Sequence, residues 1–368
     1  MISRREFIKK LLFNCLCFMS IHSITIPSLL YSSSKKTIPK GLFCVTNTTN
    51  WVLKNGQRVN LFDYEIDGVV NYARWADIER EPLKFNFNGL ERMLREAELA
   101  DKQLSYNIIP GIHTPEWVYT MNKIEPYEYT YDKYGKKVRT YLHFIRKNGK
   151  LFLNEDFLTI WERTINEYAS YIRNHKLKNR IAYIAITGGP TSNGLEIMWA
   201  EHFYDEFKRI EWNKEVELLL IEFWKRIIDI FIEAFPDIPL GLAITDFFGV
   251  NPSGTHARNY QIPKAISDYA LNKGKERNVS LAIMGLWIGV ISPHKYNSHP
   301  LINLIKSFNS PFAFQGPMGT ESYENLEKML SFSYSIGASW MELWHHDIIN
   351  EVYSPLIKKY RDIYKSKK

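Results

Sequence analysis

The stretch that most constrains this chain runs from residue 67 to residue 117, DGVVNYARWADIEREPLKFNFNGLERMLREAELADKQLSYNIIPGIHTPEW. An apolar run, Gly68 to Trp75, ends in Arg74-Trp75. A polar loop with Glu81-Pro82 and the aromatic pair Phe85 and Phe87 follows. From Gly89 to Lys102, Leu90, Met93, Leu94 and Ala97 recur at helical spacing among Glu and Arg. A second apolar run, Leu104 to Ile109, then opens into Pro110-Gly111-Ile112-His113-Thr114-Pro115-Glu116-Trp117. Strand, loop, helix, strand is one βαβ unit, and such units make parallel sheets. Arg74, Trp75, His113 and Trp117 stand where strands give way to their loops, the edge at which ligands bind in parallel α/β folds. Four such residues at two successive strand ends read as a substrate-binding set.

The same rhythm continues along the chain. Gly41 to Asn47 reads as the first strand, with Asn47 at its end. The later strands are Ile181 to Thr187, Leu240 to Thr245 (followed by Asp246), Val279 to Trp287, Phe312 to Gln315, and Ser339 to Trp344. Helical patterns cover about 154–175, 216–235, 323–336 and 354–365, with Asn154 as an N-cap. Eight strands, mostly separated by helices, predict a (β/α)8 barrel over residues 37–368. No repeat and no Pro-, Gly- or Ser-rich linker divides it. Residues 118–152 form a Tyr- and Lys-rich insertion, expected to be a lid or wall over the third strand.

Residues 1–36 read differently. Ser3-Arg4-Arg5-Glu6-Phe7-Ile8-Lys9 fits a bacterial twin-arginine export pattern, with an apolar run from Leu11 to Ile26 behind it. The expectation is a signal peptide, with an uncleaved membrane anchor as the alternative, and hence an exported protein of the periplasm or cell envelope that meets the twin-arginine export machinery. This segment carries +5 of the net charge of +7, leaving about +2 for the rest. The body has no basic stripe interleaved with aromatics, so nucleic acid is not expected as a partner. Of the 3 cysteines, only Cys44 lies beyond residue 36, which excludes a disulfide framework or a cysteine metal cluster there. His345-His346-Asp347 lacks a third ligand at a recognisable spacing, and neither metal nor cofactor is expected.

The stretch from Trp75 to Trp117 resembles the second and third βα units of the large clan of TIM-barrel glycoside hydrolases, in the manner of families 42 and 5. The carrying residues are Trp75, Glu81-Pro82, Phe87 and Thr114-Pro115-Glu116-Trp117. The resemblance covers about fifty residues well and the remainder as a rhythm. It implies cleavage of an O-glycosidic bond by two carboxyl groups, one donating a proton and the other acting as nucleophile or as base for water. Glu196, beyond the fourth strand, takes the donor position, although Thr187-Gly188-Gly189-Pro190 replaces the clan's Asn-Glu pair at the strand end. At the seventh strand, where the clan has its nucleophile, stands Gln315, with Glu321 further along. In the eighth strand, alternation puts Trp340, Glu342 and Trp344 on one face. An inward Glu between two Trp residues is costly unless paired or used. Glu342 is therefore preferred over Glu321 as the second carboxylate, the structural alternative being an ion pair with Arg74. Asp246 and Gln315 can hydrogen-bond sugar hydroxyls, and Trp287 and Trp344 can stack on a sugar ring. The rival reading is a non-catalytic carbohydrate-binding barrel.

Overall fold

The computed structural model describes residues 37–366 except 54, 123, 131–134, 192, 193, 196, 198–212, 246–259, 287 and 289–292. Eight parallel strands form the core: β1 Gly41–Thr46, β2 Gly68–Arg74, β3 Gln103–Ile109, β4 Ile184–Ala185, β5 Leu240–Ile244, β6 Leu281–Gly285, β7 Phe312–Gln315 and β8 Trp340–Trp344. Their spatial order is β4-β5-β6-β7-β8-β1-β2-β3. The two ends of this series meet, because Leu104 of β3 bridges to Ile181 just ahead of β4. The Ala182 N–H donates to the Leu104 carbonyl at 2.8 Å. The sheet is therefore a nearly closed (β/α)8 barrel, as the strand count requires.

Among the described residues, seven helices of two turns or more follow the strands: α1 Asn88–Leu99, α2 Glu155–Asn174, α3 Lys214–Ala234, α4 Gln261–Glu276, α5 Pro300–Ser307, α6 Tyr323–Ser335 and α7 Ser354–Ser366. In α1 the buried residues are Leu90, Met93, Leu94 and Ala97, the stripe that its spacing demands. Asn154 caps α2 by accepting from the Phe157 N–H. The first unit departs from the repeat. Between β1 and β2 stand an antiparallel hairpin (Asn50–Val52 with Arg58–Asn60) and a 3-10 turn, Leu61–Asp63.

Strand alternation divides the buried apolar residues into two clusters. Leu42, Cys44, Val69, Leu104, Ile108, Leu242, Ile283, Phe314, Met341 and Leu343 face the helices. Phe43, Val45, Val70, Tyr72, Tyr183, Ala185, Ala243, Ala282, Met284, Ala313 and Trp340 fill the interior. The interior is uneven. Strands β4 to β7 contribute mainly alanine, and the space is taken by large rings, with Tyr183, just ahead of β4, and Trp340 of β8 at 4.9 Å between centroids.

The fourth strand is shorter than the apolar run 181–187 predicts. On its β5 side, Ile184 and Ile186 N–H groups donate to the carbonyls of Pro239 (2.9 Å) and Gly241 (2.8 Å). On its β3 side, side chains replace the ladder. Asn107 Oδ1 accepts from the Ala185 N–H at 2.7 Å, and Thr187 Oγ1 donates to the Ile108 carbonyl at 2.7 Å.

The 118–152 insertion contains two antiparallel hairpins, Tyr127–Thr130 with Lys137–Thr140 and Phe144–Lys147 with Lys150–Leu153. Its buried centre grips the loop after β4. Tyr141 OH donates to the Gly188 carbonyl at 2.7 Å, and Thr140 Oγ1 donates to the Pro190 carbonyl at 2.8 Å. The loops after β3 and β4 then touch backbone to backbone. Gly111, at φ 65°, lies where a Cβ would come 1.8 Å from the Thr191 carbonyl oxygen. Gly111→Ala therefore combines a strained backbone with a clash against main chain. The expected outcome is a loss of about 1–3 kcal/mol, checked by urea unfolding of the variant against the parent.

Candidate functional site

The interior face of β8 places Trp340, Glu342 and Trp344 in a column, with Trp340 and Glu342 fully buried and Trp344 half-buried above them. Glu342 lies in register with Gln315, the last residue of β7, on the carboxyl-terminal side of the barrel. Its side chain is 0% exposed, so hydrogen bonds decide what form it can take. Tyr183 OH and Trp340 Nε1 (3.2 Å) donate to Oε1, and Gln315 Nε2 donates to Oε2 at 2.8 Å. Gln315 Nε2 also donates to Tyr72 OH at 3.2 Å, and the Tyr72 hydroxyl completes the ring around the carboxyl.

Burial pushes the Glu342 carboxyl above its ordinary pKa, while Tyr183, Gln315, Trp340 and Tyr72 pull the other way. An indole N–H and an amide NH2 can only donate, so the ring is built around the ionised form. A carboxylate whose pKa remains raised despite these donors is more basic than a surface Glu. The same burial and the adjoining Glu342 charge push the Tyr183 phenol well above its usual range.

Arg74 is not the partner of Glu342. It is exposed at the end of β2 and lines a separate cleft of about 560 Å³ with His113. Gln315 fills the carboxyl-partner role instead, because its position in register with Glu342 brings its amide directly to Oε2. Asn47 is exposed just past β1, and Glu321 is exposed ahead of α6. Glu196, Asp246 and Trp287 lie outside the described residues. Leu195, the neighbour of Glu196, packs into the interior cluster, so the loop after β4 returns to the barrel.

Trp75 and Trp117 are core residues and not members of the substrate-binding set expected at the ends of the second and third strands. After Arg74 the chain turns into a short helix, Trp75–Ile78, which carries Trp75 out of the strand and against α2. Its ring is enclosed by Trp161 (5.0 Å between centroids), Trp117 (5.9 Å) and Phe157 (6.4 Å). Trp75 is 0% and Trp117 7% exposed, leaving no open face for a sugar. Both are organised by a residue that the sequence reading passed over, Glu79. Its Oε2 accepts from Trp75 Nε1 (3.0 Å) and Thr164 Oγ1 (3.1 Å), its Oε1 pairs with Arg163 (2.5 Å), and its carbonyl accepts from Trp117 Nε1 (2.8 Å). The i, i+4 spacing of Trp75 and Glu79 on a helical turn was the available signal. Tyr72 and Tyr183 were also missed. Period-two alternation puts Tyr72 on the face of Val70, and Tyr183 on the face of Ala185.

Past β8, His345 is buried and stacked on Trp51 at 3.7 Å between centroids, with His346 at 3.8 Å. Among the described residues no group of three or more His, Cys, Asp or Glu is placed to hold a metal ion. Among the same residues no helix is long and apolar enough to cross a membrane.

No family model matches the sequence, and no curated protein matches it. Solved structures with a similar chain path include xylanase 10B from Thermotoga maritima, at 13% identity, 83% of each chain and a TM-score of 0.46. The intracellular xylanase TsXylA from Thermoanaerobacterium saccharolyticum aligns at 8% identity, over 83% of this chain and 85% of that one, with a TM-score of 0.48. Xylanase XynB from Paenibacillus barcinonensis aligns at 9% identity, over 83% of each chain, with a TM-score of 0.47. At such identities no residue's role transfers, and the chemistry rests on this chain's own side chains.

Burial holds three imidazoles neutral: His113 and His345 are pushed down to about 4, and His143 to about 3. Folded-state values below the unfolded one give stability that is complete above the ordinary imidazole range and is lost as pH falls. For His143, 1% exposed, the loss runs from pH ~6.5 downward at about 1.4 kcal/mol per pH unit. Urea midpoints measured between pH 7 and 4 should fall, and His143→Phe should flatten that dependence.

Proposed function

We propose that this chain is an exported glycoside hydrolase of the TIM-barrel type, with Glu342 as nucleophile or as base for water and Glu196 as proton donor. The observation that carries the proposal is the Glu342 carboxyl. It is a basic carboxylate inside the barrel, level with the end of β7, ringed by donors and topped by Trp344. Hydrolysis of a glycosidic bond needs one group that attacks or deprotonates and one that protonates the leaving oxygen. The donors from Gln315 and Tyr183 fix the orientation of the first. Placement of Leu195 on the interior wall supports Glu196 as the second, because the loop that carries it borders the barrel mouth. Gln315, Trp344 and Asn47, with Asp246 and Trp287, make up the proposed sugar contacts.

A second reading is supported by one observation. Glu342 is 0% exposed, and its donors satisfy both oxygens, which also fits a carboxylate that ties strands together in a saccharide-binding barrel without cleavage. Glu342→Gln separates the two. The parent is assayed on a panel of aryl glycosides and polysaccharides. If Glu342 is catalytic, the variant loses on the order of 10²–10⁴-fold in kcat while its melting temperature and saccharide affinity hold. The parent's rate then falls on the acid side through a pKa above the ordinary carboxylate range. No cleavage by the parent, with retained saccharide binding, selects the binding barrel.

Export is proposed on the strength of Arg4-Arg5 ahead of the apolar run from Leu11 to Ile26. Cell fractionation should find the parent outside the cytoplasm and an Arg4→Lys/Arg5→Lys variant retained within it. Equal distribution of the two removes this part of the proposal.

A further inference from the structure

The helical layer carries an aromatic hollow on the other side of the sheet from Glu342. Phe87, just ahead of α1, rests on Tyr168 of α2 at 6.0 Å between centroids, and Tyr168 lies 6.5 Å from Tyr106 on the helix-facing side of β3. Outward of that core, Phe85 lies nearly parallel to Phe87 (5.8 Å, 8°), and Tyr171 packs on Phe87 at 4.4 Å. Phe85, Phe87 and Tyr171 are each only partly buried. They line a cavity of about 340 Å³ together with Glu167, Ser170 and Asn174. Residues 167, 170, 171 and 174 stand at i, i+3, i+4 and i+7, so one face of α2 supplies a ring and three polar groups to the same space.

The aromatic part is held in place. Glu91 Oε2 accepts from Tyr171 OH at 3.2 Å and meets His175 Nε2 at 2.5 Å. The Leu177 N–H donates to His175 Nδ1 at 3.0 Å, so Nε2 is the nitrogen that carries the proton to Glu91. Between the two phenylalanines, the Asn86 N–H is tied to the Ile78 carbonyl at 2.7 Å. The polar part is unclaimed. Among the described residues, the side chains of Glu167, Ser170 and Asn174 make no hydrogen bond or ion pair.

We propose that this hollow is a second saccharide-binding site, one that takes a neutral pyranose unit of a polysaccharide apart from the barrel interior. A sugar ring has the matching character, with C–H groups on its faces for the rings and hydroxyls at its edge for the carboxylate, hydroxyl and amide. The volume lies in the range of small-ligand sites. The Glu167 carboxylate disfavours an acidic unit. A protein partner fits less well. Three aromatic side chains of ~150–250 Å² each, already partly buried, fall short of the ~800 Å² per partner of a standard interface. The inference rests on the glycan-active reading for the choice of a saccharide as ligand.

The test is affinity electrophoresis of the full chain in native gels that contain arabinoxylan, glucomannan or galactan. Phe85→Ala, Phe85→Trp and Asn174→Ala are run beside Trp344→Ala, which removes a contact at the barrel mouth. The expected result is retardation by at least one polymer that survives in Trp344→Ala. It should weaken tenfold or more in Phe85→Ala, weaken in Asn174→Ala and return in Phe85→Trp, with hydrolysis of short aryl glycosides unchanged in all three. Should Phe85→Ala fail to hold the parent's melting temperature, Asn174→Ala, an exposed helix position, decides in its place. No retardation of the parent, or equal retardation of the parent and these variants, overturns the proposal. So does a dimeric parent that Phe85→Ala converts to monomer, since the surface is then an interface between copies. A chain that cleaves nothing yet binds polymer through Phe85 keeps this inference and loses the catalytic one. A chain that cleaves but does not bind through Phe85 does the reverse.

Discussion

A parallel sheet of eight strands has two raw edges unless its ends meet, and here the meeting of β3 and β4 is made largely by side chains. Asn107 takes the Ala185 N–H, and Thr187 returns a bond to the Ile108 carbonyl. Main-chain pairing survives only near Leu104, Ile181 and Ala182. Without that seam the interior would open to water along one side, and buried polar groups would lose the low-dielectric enclosure that gives them unusual acidities. The loop beyond β4 is held shut from outside as well, by Tyr141 and Thr140 of the insertion on the carbonyls of Gly188 and Pro190. The insertion thus buttresses the weakest joint of the barrel.

Closure allows the uneven filling of the interior. Alanines at positions 182, 185, 243, 282 and 313 leave volume, and Tyr183, Trp340, Phe43 and Tyr72 occupy it. The Tyr and Trp rings bring polar tips with them, and the tips of Tyr183, Trp340 and Tyr72 meet at Glu342. A carboxyl in an aliphatic barrel would have no donors and would be too costly to keep. Packing and chemistry therefore share a cause: the small residues of the interior make room for the hydroxyl and indole groups that make Glu342 tolerable, while the burial they create makes it basic.

Much of this was legible along the chain. The seventh strand has the predicted bounds, 312–315, and α1 and α2 differ from theirs by a few residues. Their signals are local: period-two or helical apolar spacing, and an Asn at the helix start. The fourth strand was over-read because an apolar run does not reveal that its neighbour will offer a side-chain oxygen in place of a carbonyl. Trp75 was misplaced for a related reason. The apolar run was taken one residue past the strand, beyond the turn at which Arg74 hands over to a helix, and the ring went to the core rather than to the mouth. For Glu79 only the i, i+4 spacing to Trp75 was legible; its grip by Arg163 was not, because that partner lies 84 residues away.

The sequence by itself determined the repeating βαβ order, and with it the barrel, because strand and helix periodicities depend only on neighbours a few residues apart. It also determined that Trp340, Glu342 and Trp344 share a face, since alternation is a property of any strand. Only the tertiary structure decided which donors surround Glu342, that Arg74 turns away to a separate cleft with His113, and that two tryptophans at strand ends are core. Those outcomes depend on which strands become neighbours and on how much room the opposite wall leaves, and neither is written in the local spacing of residues.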